Sequence, residues 1–167
     1  VLAEAEMRGE ADESQVLSVF EACITHGLVL DGAMSQSEAQ ASSFWRLRED
    51  ISESLAKYSP YKNDISVSIS RVPPLMRDLD QILKKAYPSW EVIWFGHIGD
   101  GNLHINILRP TGLSKEEFVK ECRDVDQLVF SAIRSQGGSI SAEHGVGLTK
   151  KSFLSYSRSP AEIELMK

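Results

Sequence analysis

The stretch GHIGDGNLHIN, residues 96–106, sets His97 and His104 around a glycine-rich turn, and the later SAEHG puts Glu143 beside His144. Imidazoles and carboxylates bind borderline metal ions and move protons near neutral pH. Asp100-Gly101 favours a two-residue type I′ turn, which pairs His97 with His104, Ile98 with Leu103 and Gly99 with Asn102 across a hairpin. In that register the two imidazoles share a face with Cβ atoms roughly 4.5–5.5 Å apart. Asn106 lies two residues along on the same face, while Trp94, Ile98, Leu103, Ile105 and Ile107 collect on the other.

Such a pair can grip a cation at about 2.0–2.1 Å per nitrogen. A third ligand must come from elsewhere, and Glu143, at a strand end entering a glycine-rich loop, is the leading candidate. Two nitrogens and a carboxylate with open positions suit zinc, manganese or ferrous iron. A lone histidine is more often a satisfied core or surface residue. The paired register, with a second cluster holding both histidine and carboxylate, favours the metal.

The elements that must position these residues can be read from patterning. VLAEAE (1–6) reads as an opening strand, and Asp12 with Gln15 as a capping box for a helix striped with Val16, Val19, Phe20, Cys23 and Ile24 and closed by Gly27. LVL (28–30) suggests a short strand. A long helix is expected from about Ser37 to Lys57, with Phe44, Leu47, Ile51 and Leu55 at helical spacing. DISVSIS (64–70) alternates like a strand with one wet face, and Pro73-Pro74 open a helix carrying Leu75, Leu79, Ile82 and Leu83. Ser114 with Glu117 caps a helix striped with Phe118, Cys122, Val125, Val129 and Ile133 and ended by Gly137. Residues 138–147 read as a short strand running into a loop, and Ser159-Pro160 starts the last helix. The mixture predicts an α+β fold, a mainly antiparallel sheet with helices packed on it.

At 167 residues the chain is sized for one domain. Its net charge of −6 argues against non-specific nucleic-acid binding and a basic membrane patch. No apolar run reaches the roughly 18 residues of a membrane span. Cys23 and Cys122 fall on apolar helix faces and read as buried thiols of a reducing compartment. The first residue is Val and the chain stops just inside a helix, so it reads as a piece of a longer product.

GHIGDGNLHIN and GGSISAEHGVGLTKK resemble the paired signatures of the C-terminal domain of FAD-linked 2-hydroxyacid dehydrogenases, in the vanillyl-alcohol-oxidase-like group. FWRLREDISESL, YKNDISVSISRVPPLM and the opening segment extend the resemblance over nearly the whole chain. The resemblance implies a fold with ferredoxin-like elements and a single substrate- and metal-binding domain over 1–167. It implies that His97, His104 and Glu143 bind a divalent metal, zinc or manganese, and that His144 is the base on the substrate hydroxyl. Arg48 in LRED, Lys62 in YKND and Asn106 become substrate contacts. Ser52 stands where some relatives use threonine.

The implied partner is a small 2-hydroxy acid such as D-lactate, glycolate or D-2-hydroxyglutarate, with hydride passing to FAD. The electron acceptor is left open and a homodimer is admitted. The implied location is the bacterial cytoplasm or the mitochondrial matrix. No phosphate-cradling glycine loop occurs here. The FAD-binding domain is therefore expected outside this chain, which alone should hold FAD poorly and be inactive.

Plainer readings stand beside these. Arg48 could be one half of a surface ion pair, Lys62 a solvated turn residue, and Arg71 a partner of Asp78 or a helix cap, with a weaker reading as a substrate contact. His26 suits a helix end through its charge, and the KKS at 150–152 reads as a solvated helix start. As whole functions, a stand-alone His/His/Glu metallohydrolase and a non-catalytic interaction module compete with the flavoenzyme.

Overall fold

The computed structural model describes residues 1–166, and the chain divides into two compact units, Val1–Ser54 and Leu55–Lys167. The first holds α1 (Glu10–Thr25) and α2 (Glu38–Glu49), and the unit boundary falls inside α3 (Ile51–Ala56). α1 starts from Gly9 rather than from a capping box, because Asp12 accepts the Arg8 amide at 2.9 Å instead. It ends as expected, with Gly27 in the left-handed region (φ 68°) and His26 Nδ1 2.7 Å from the Ala22 carbonyl.

Two expected strands do not form. Residues 1–6 and 28–30 form no strand among the described residues, and in LVL both Leu28 and Leu30 stand exposed. The helix read over 37–57 is two helices. Ser37 caps the start through its hydroxyl. Asp50 breaks the run: its ψ of −4° closes α2, and an i,i+4 pair with Arg46 at 3.3 Å holds its side chain against α2. Short carboxylates are poor helix-interior residues because they favour such local bonds.

The second unit carries β1 (Tyr61–Ser66), α4 (Val72–Ala86), β2 (Val92–His97), β3 (Asn102–Ile107), α5 (Lys115–Ser135) and α6 (Pro160–Leu165). β3 is the central strand, antiparallel to β1 on one side and β2 on the other. The free edge of β1 is met by Ser139, whose backbone exchanges both hydrogen bonds with Ser66 at 3.0 and 2.7 Å. Strand, helix, two strands, helix and this rudimentary fourth strand give the split βαβ arrangement of ferredoxin-like folds. The α+β expectation holds.

Alternation along the strands separates two faces. Ile65, Leu103, Ile105 and Ile107 join Val72, Leu75, Leu79 and Leu83 of α4 and Phe118, Cys122, Val129, Phe130 and Ile133 of α5 in one buried core. Both helix stripes run at the i, i+3, i+4 spacing that aims one face at a sheet. α5 begins with the expected Ser114–Glu117 capping box, and Gly137 follows its end at φ 70°.

Both cysteines are free, Cys122 buried and Cys23 half-buried. Burial, with the nearby Asp126 and Glu121 carboxylates, pushes the Cys122 thiol up to about 12 despite its bond with Tyr87. A thiol that does not ionise is a poor nucleophile. Iodoacetamide is therefore expected to leave Cys122 unmodified in the native protein and to label it after unfolding, as read by peptide mass spectrometry.

Candidate functional site

The hairpin register differs from the sequence reading in an instructive way. His97 pairs with Asn102 and Phe95 with His104, so the turn has four residues, Ile98–Gly101, rather than two. The Asp100 carboxylate accepts the Asn102 amide at 3.0 Å, and Gly101 closes the turn at φ 76°. A Cβ on Gly101 would collide with the Val67 carbonyl, so glycine is required there. Ile98, expected in the core, is an exposed turn residue. The two histidines are diagonal neighbours rather than direct partners. Because the register moved by an even step, the residues that stay in the ladder keep their expected faces, while Ile98 leaves it for the turn.

On that face the rings of His97 and His104 lie 5.9 Å apart at 80°. The loop after Ser139 brings Glu143 to them. One carboxylate oxygen sits 3.7 Å from His97 Nε2, and one ligand atom from each of His97, His104 and Glu143 falls within 4.8 Å of the others. Donors on a shared tetrahedral ion at about 2.1 Å lie about 3.4 Å apart. Closure by small side-chain rotations would complete such a shell, and two imidazoles with a carboxylate form a donor set that fits a borderline divalent ion. His144 Nε2 lies 3.9 Å from the other Glu143 oxygen and its side chain is largely exposed.

The organiser of this site is Asp64, which the sequence reading missed. It opposes His104 across the β1–β3 ladder. Its Oδ1 lies 3.4 Å from His104 Nδ1 and accepts the Asn102 side-chain amide at 2.8 Å. Its Oδ2 accepts the backbone amides of Glu143 at 2.9 Å and His144 at 3.4 Å. One carboxylate thus orients an imidazole and ties down the loop that carries two more site residues. With Nδ1 facing Asp64, Nε2 is left for the shared centre, the arrangement in which an outer carboxylate orients a metal-binding histidine. Burial also holds the His104 pKa below the ordinary imidazole value, against the pull of Asp64 and Glu143, which keeps a lone pair available at neutral pH.

Burial alone would raise the Asp64 carboxyl, but the Glu143 amide, the Asn102 amide, His104 and the His144 amide together hold it below the usual range. A depressed carboxyl contributes stability above its unfolded value, about 3.9, that is lost as pH falls through its folded value. Loop order around Glu143 is therefore expected to fail only in that acid window. Asp64→Ala is expected to weaken divalent-ion binding by about 10–100-fold, the usual penalty for removing an outer-shell partner. Calorimetric titration of the purified variant checks this.

Asn106 is buried on the same face, and its side-chain nitrogen has no partner among the described residues. An orphaned buried donor invites an acceptor. Lys62 opposes it in the register and is exposed. Arg48, half-buried on α2, and Ser52, exposed on α3, belong to the first unit. Asp78 takes its hydrogen bond from Gln136 at 3.3 Å rather than pairing with Arg71.

The reading of KKS as a solvated helix start holds for Lys151 and Ser152, which are exposed and open the 3₁₀ turn Lys151–Tyr156, and is corrected for Lys150. Lys150 is half-buried, with its ammonium donating to the Ile140 carbonyl at 3.1 Å. Asp126 was likewise missed. It is buried on the core side and accepts the Tyr61 hydroxyl at 2.6 Å. Neither stands out in sequence, since a lysine beside a lysine and an aspartate within a charged helix read as surface.

A split βαβ sheet that turns histidines, asparagines and an aspartate to one face, with a glutamate loop clipped onto it, defines an α+β domain of the ferredoxin-like kind. The chain belongs to the family described as FAD linked oxidases, C-terminal domain, whose model matches residues 1–167. It is 53% identical over 166 residues to D-2-hydroxyglutarate dehydrogenase of Stutzerimonas stutzeri (strain A1501), covering 99% of this chain and 36% of that protein. A protein of the same name from Xanthomonas citri pv. viticola is 51% identical over 158 residues, 95% of this chain and 34% of that one. The mitochondrial D-2-hydroxyglutarate dehydrogenase of Rattus norvegicus is 35% identical over 157 residues, 93% and 28% of the two. The chain thus spans about a third of the length of these curated relatives.

Proposed function

We propose that this chain is the substrate- and metal-binding part of an FAD-dependent dehydrogenase that oxidises a D-2-hydroxy acid to the 2-oxo acid, with D-2-hydroxyglutarate as the substrate. The convergence of His97, His104 and Glu143 beside His144 carries the reading. The names of the relatives supply the substrate, and the family supplies the flavin. The flavin-binding domain, on this reading, lies outside residues 1–167.

His97, His104 and Glu143 would hold the divalent ion, zinc or manganese. When bound, such an ion lowers the pKa of a hydroxyl on it, and the flavin accepts hydride. The chain's own groups do the rest. His144 takes the hydroxyl proton on its ring, its exposure leaving it open to substrate. The orphaned Asn106 amide donates to a substrate oxygen, and Lys62 beside it offers a cation to a carboxylate. Arg48 is proposed as a carboxylate contact, since guanidinium groups bind carboxylates bidentately, and Ser52 as a substrate contact through its hydroxyl.

No helix among the described residues is long and apolar enough to cross a membrane. Residence in the bacterial cytoplasm or the mitochondrial matrix, and assembly as a homodimer, belong to the same proposal. The test is turnover of D-2-hydroxyglutarate, D-lactate and glycolate by the full-length flavoprotein with a dye acceptor, before and after chelation. Dye reduction with D-2-hydroxyglutarate that chelation abolishes is expected. Turnover unaffected by complete metal removal would overturn the metal assignment, and no oxidation of any of the three acids would overturn the activity.

A further inference from the structure

Residues 140–150 form a compact loop whose two ends touch, the mark of an Ω-type loop. Ile140 at its base is fully buried, and both its backbone polar groups are taken by side chains. Its N–H donates to Ser157 Oγ at 2.8 Å and its carbonyl accepts from Lys150 Nζ at 3.1 Å. The Lys150 amide also returns to the Val146 carbonyl at 3.2 Å, and its ammonium lies 5.7 Å from the centre of the Phe130 ring. The carboxylates whose fields reach this ammonium are Asp126, on the core side, and Asp64, on the site side. Between the two ends sit Glu143 and His144, whose amides are held by Asp64 alone.

We infer that Lys150 is a positioning residue that staples the base of the Glu143–His144 loop, so that the loop is pinned by a cation at its foot and by a carboxylate near its tip. The ammonium does what a backbone ladder would do in a longer fourth strand. Beyond the single bridge at Ser139, the backbone ladder to β1 is continued among the described residues only by the Ala142 amide, which donates to the Asp64 carbonyl at 3.3 Å. A hydrogen bond from a charged donor in a half-buried setting is among the stronger kinds, and it costs no room in the site. Lys150 is not one of the three residues whose ligand atoms converge, and its ammonium donates to the Ile140 carbonyl. It acts through the loop, and its role in catalysis rests on the function proposed above.

The experiment is amide hydrogen exchange on the full chain bearing Lys150→Met, Lys150→Gln or Lys150→Arg, paired with zinc titration of each. Lys150→Met is expected to speed exchange across residues 141–149 by roughly tenfold or more, leaving α4 and α5 protected. Lys150→Arg should restore most of the protection, and Lys150→Gln, with a donor but no charge, should fall between. Zinc affinity should follow the same order at unchanged stoichiometry. If the Met variant perturbs the core, the Gln and Arg pair carries the comparison. Unchanged exchange over 141–149 in folded Lys150→Gln, or a rise there matched by an equal rise in α4 and α5, overturns the staple. Absence of zinc binding by the wild type would instead contradict the metal reading, and the exchange result would still decide the staple.

Discussion

His144→Ala is expected to lower kcat of the full-length enzyme on D-2-hydroxyglutarate by about 10²–10⁴-fold, the usual worth of a positioned general base. KM should change little and metal stoichiometry not at all, because His144 approaches a different Glu143 oxygen from the one that His97 approaches. His97 Nε2 approaches one Glu143 oxygen at 3.7 Å and His144 Nε2 the other at 3.9 Å. The same geometry lets Glu143 serve two neighbours, so Glu143→Gln should impair both metal affinity and kcat. The discriminating result is the split: a kcat close to wild type in His144→Ala would remove it from proton transfer. Loss of bound metal in that variant would recast it as a ligand.

Phe130→Ala should be the most damaging of the core substitutions, at about 3–5 kcal/mol. The ring is fully buried on α5. It meets Phe153 edge-on at 5.0 Å and Tyr156 at 6.0 Å, which lie on the 3₁₀ turn Lys151–Tyr156. It also faces the Lys150 ammonium. Removing it leaves a cavity under that turn and exposes the foot of the Glu143 loop, so the loss is expected to reach the site as well as the core. Denaturant unfolding followed by tryptophan fluorescence reads the stability, since Trp90 and Trp94 lie in the second unit. A shift much below that range would mean that the turn collapses onto the vacated space.

What sequence made legible, and what it did not, follows from the range of each signal. The caps at Ser114 and Ser159, the diproline opening of α4 and the alternation of β3 are local, and each appears where it was read. The two-residue turn failed because Asp100 found a better use for its carboxylate on the Asn102 amide than a type I′ turn offers. Even so, the histidines stayed on one face, because alternation survives a shift of two. Asp64 escaped notice and Lys150 was read as solvated for another reason. Each gains its meaning from a partner far along the chain, His104 through the β1–β3 ladder and Ile140 across the loop, and spacing says nothing about which strand becomes a neighbour. VLAEAE and LVL show the converse, since strand-like composition over three to six residues did not by itself make a strand.

The central claim is tested most directly by calorimetric titration of zinc and manganese into the metal-stripped chain and its His97→Ala, His104→Ala and Glu143→Ala variants, with His26→Ala as a control outside the cluster. One ion per wild-type and control chain is predicted, with binding lost or greatly weakened in each of the other three. Equal affinity in all five proteins, or an ion that survives loss of any one of the three ligands, would contradict it.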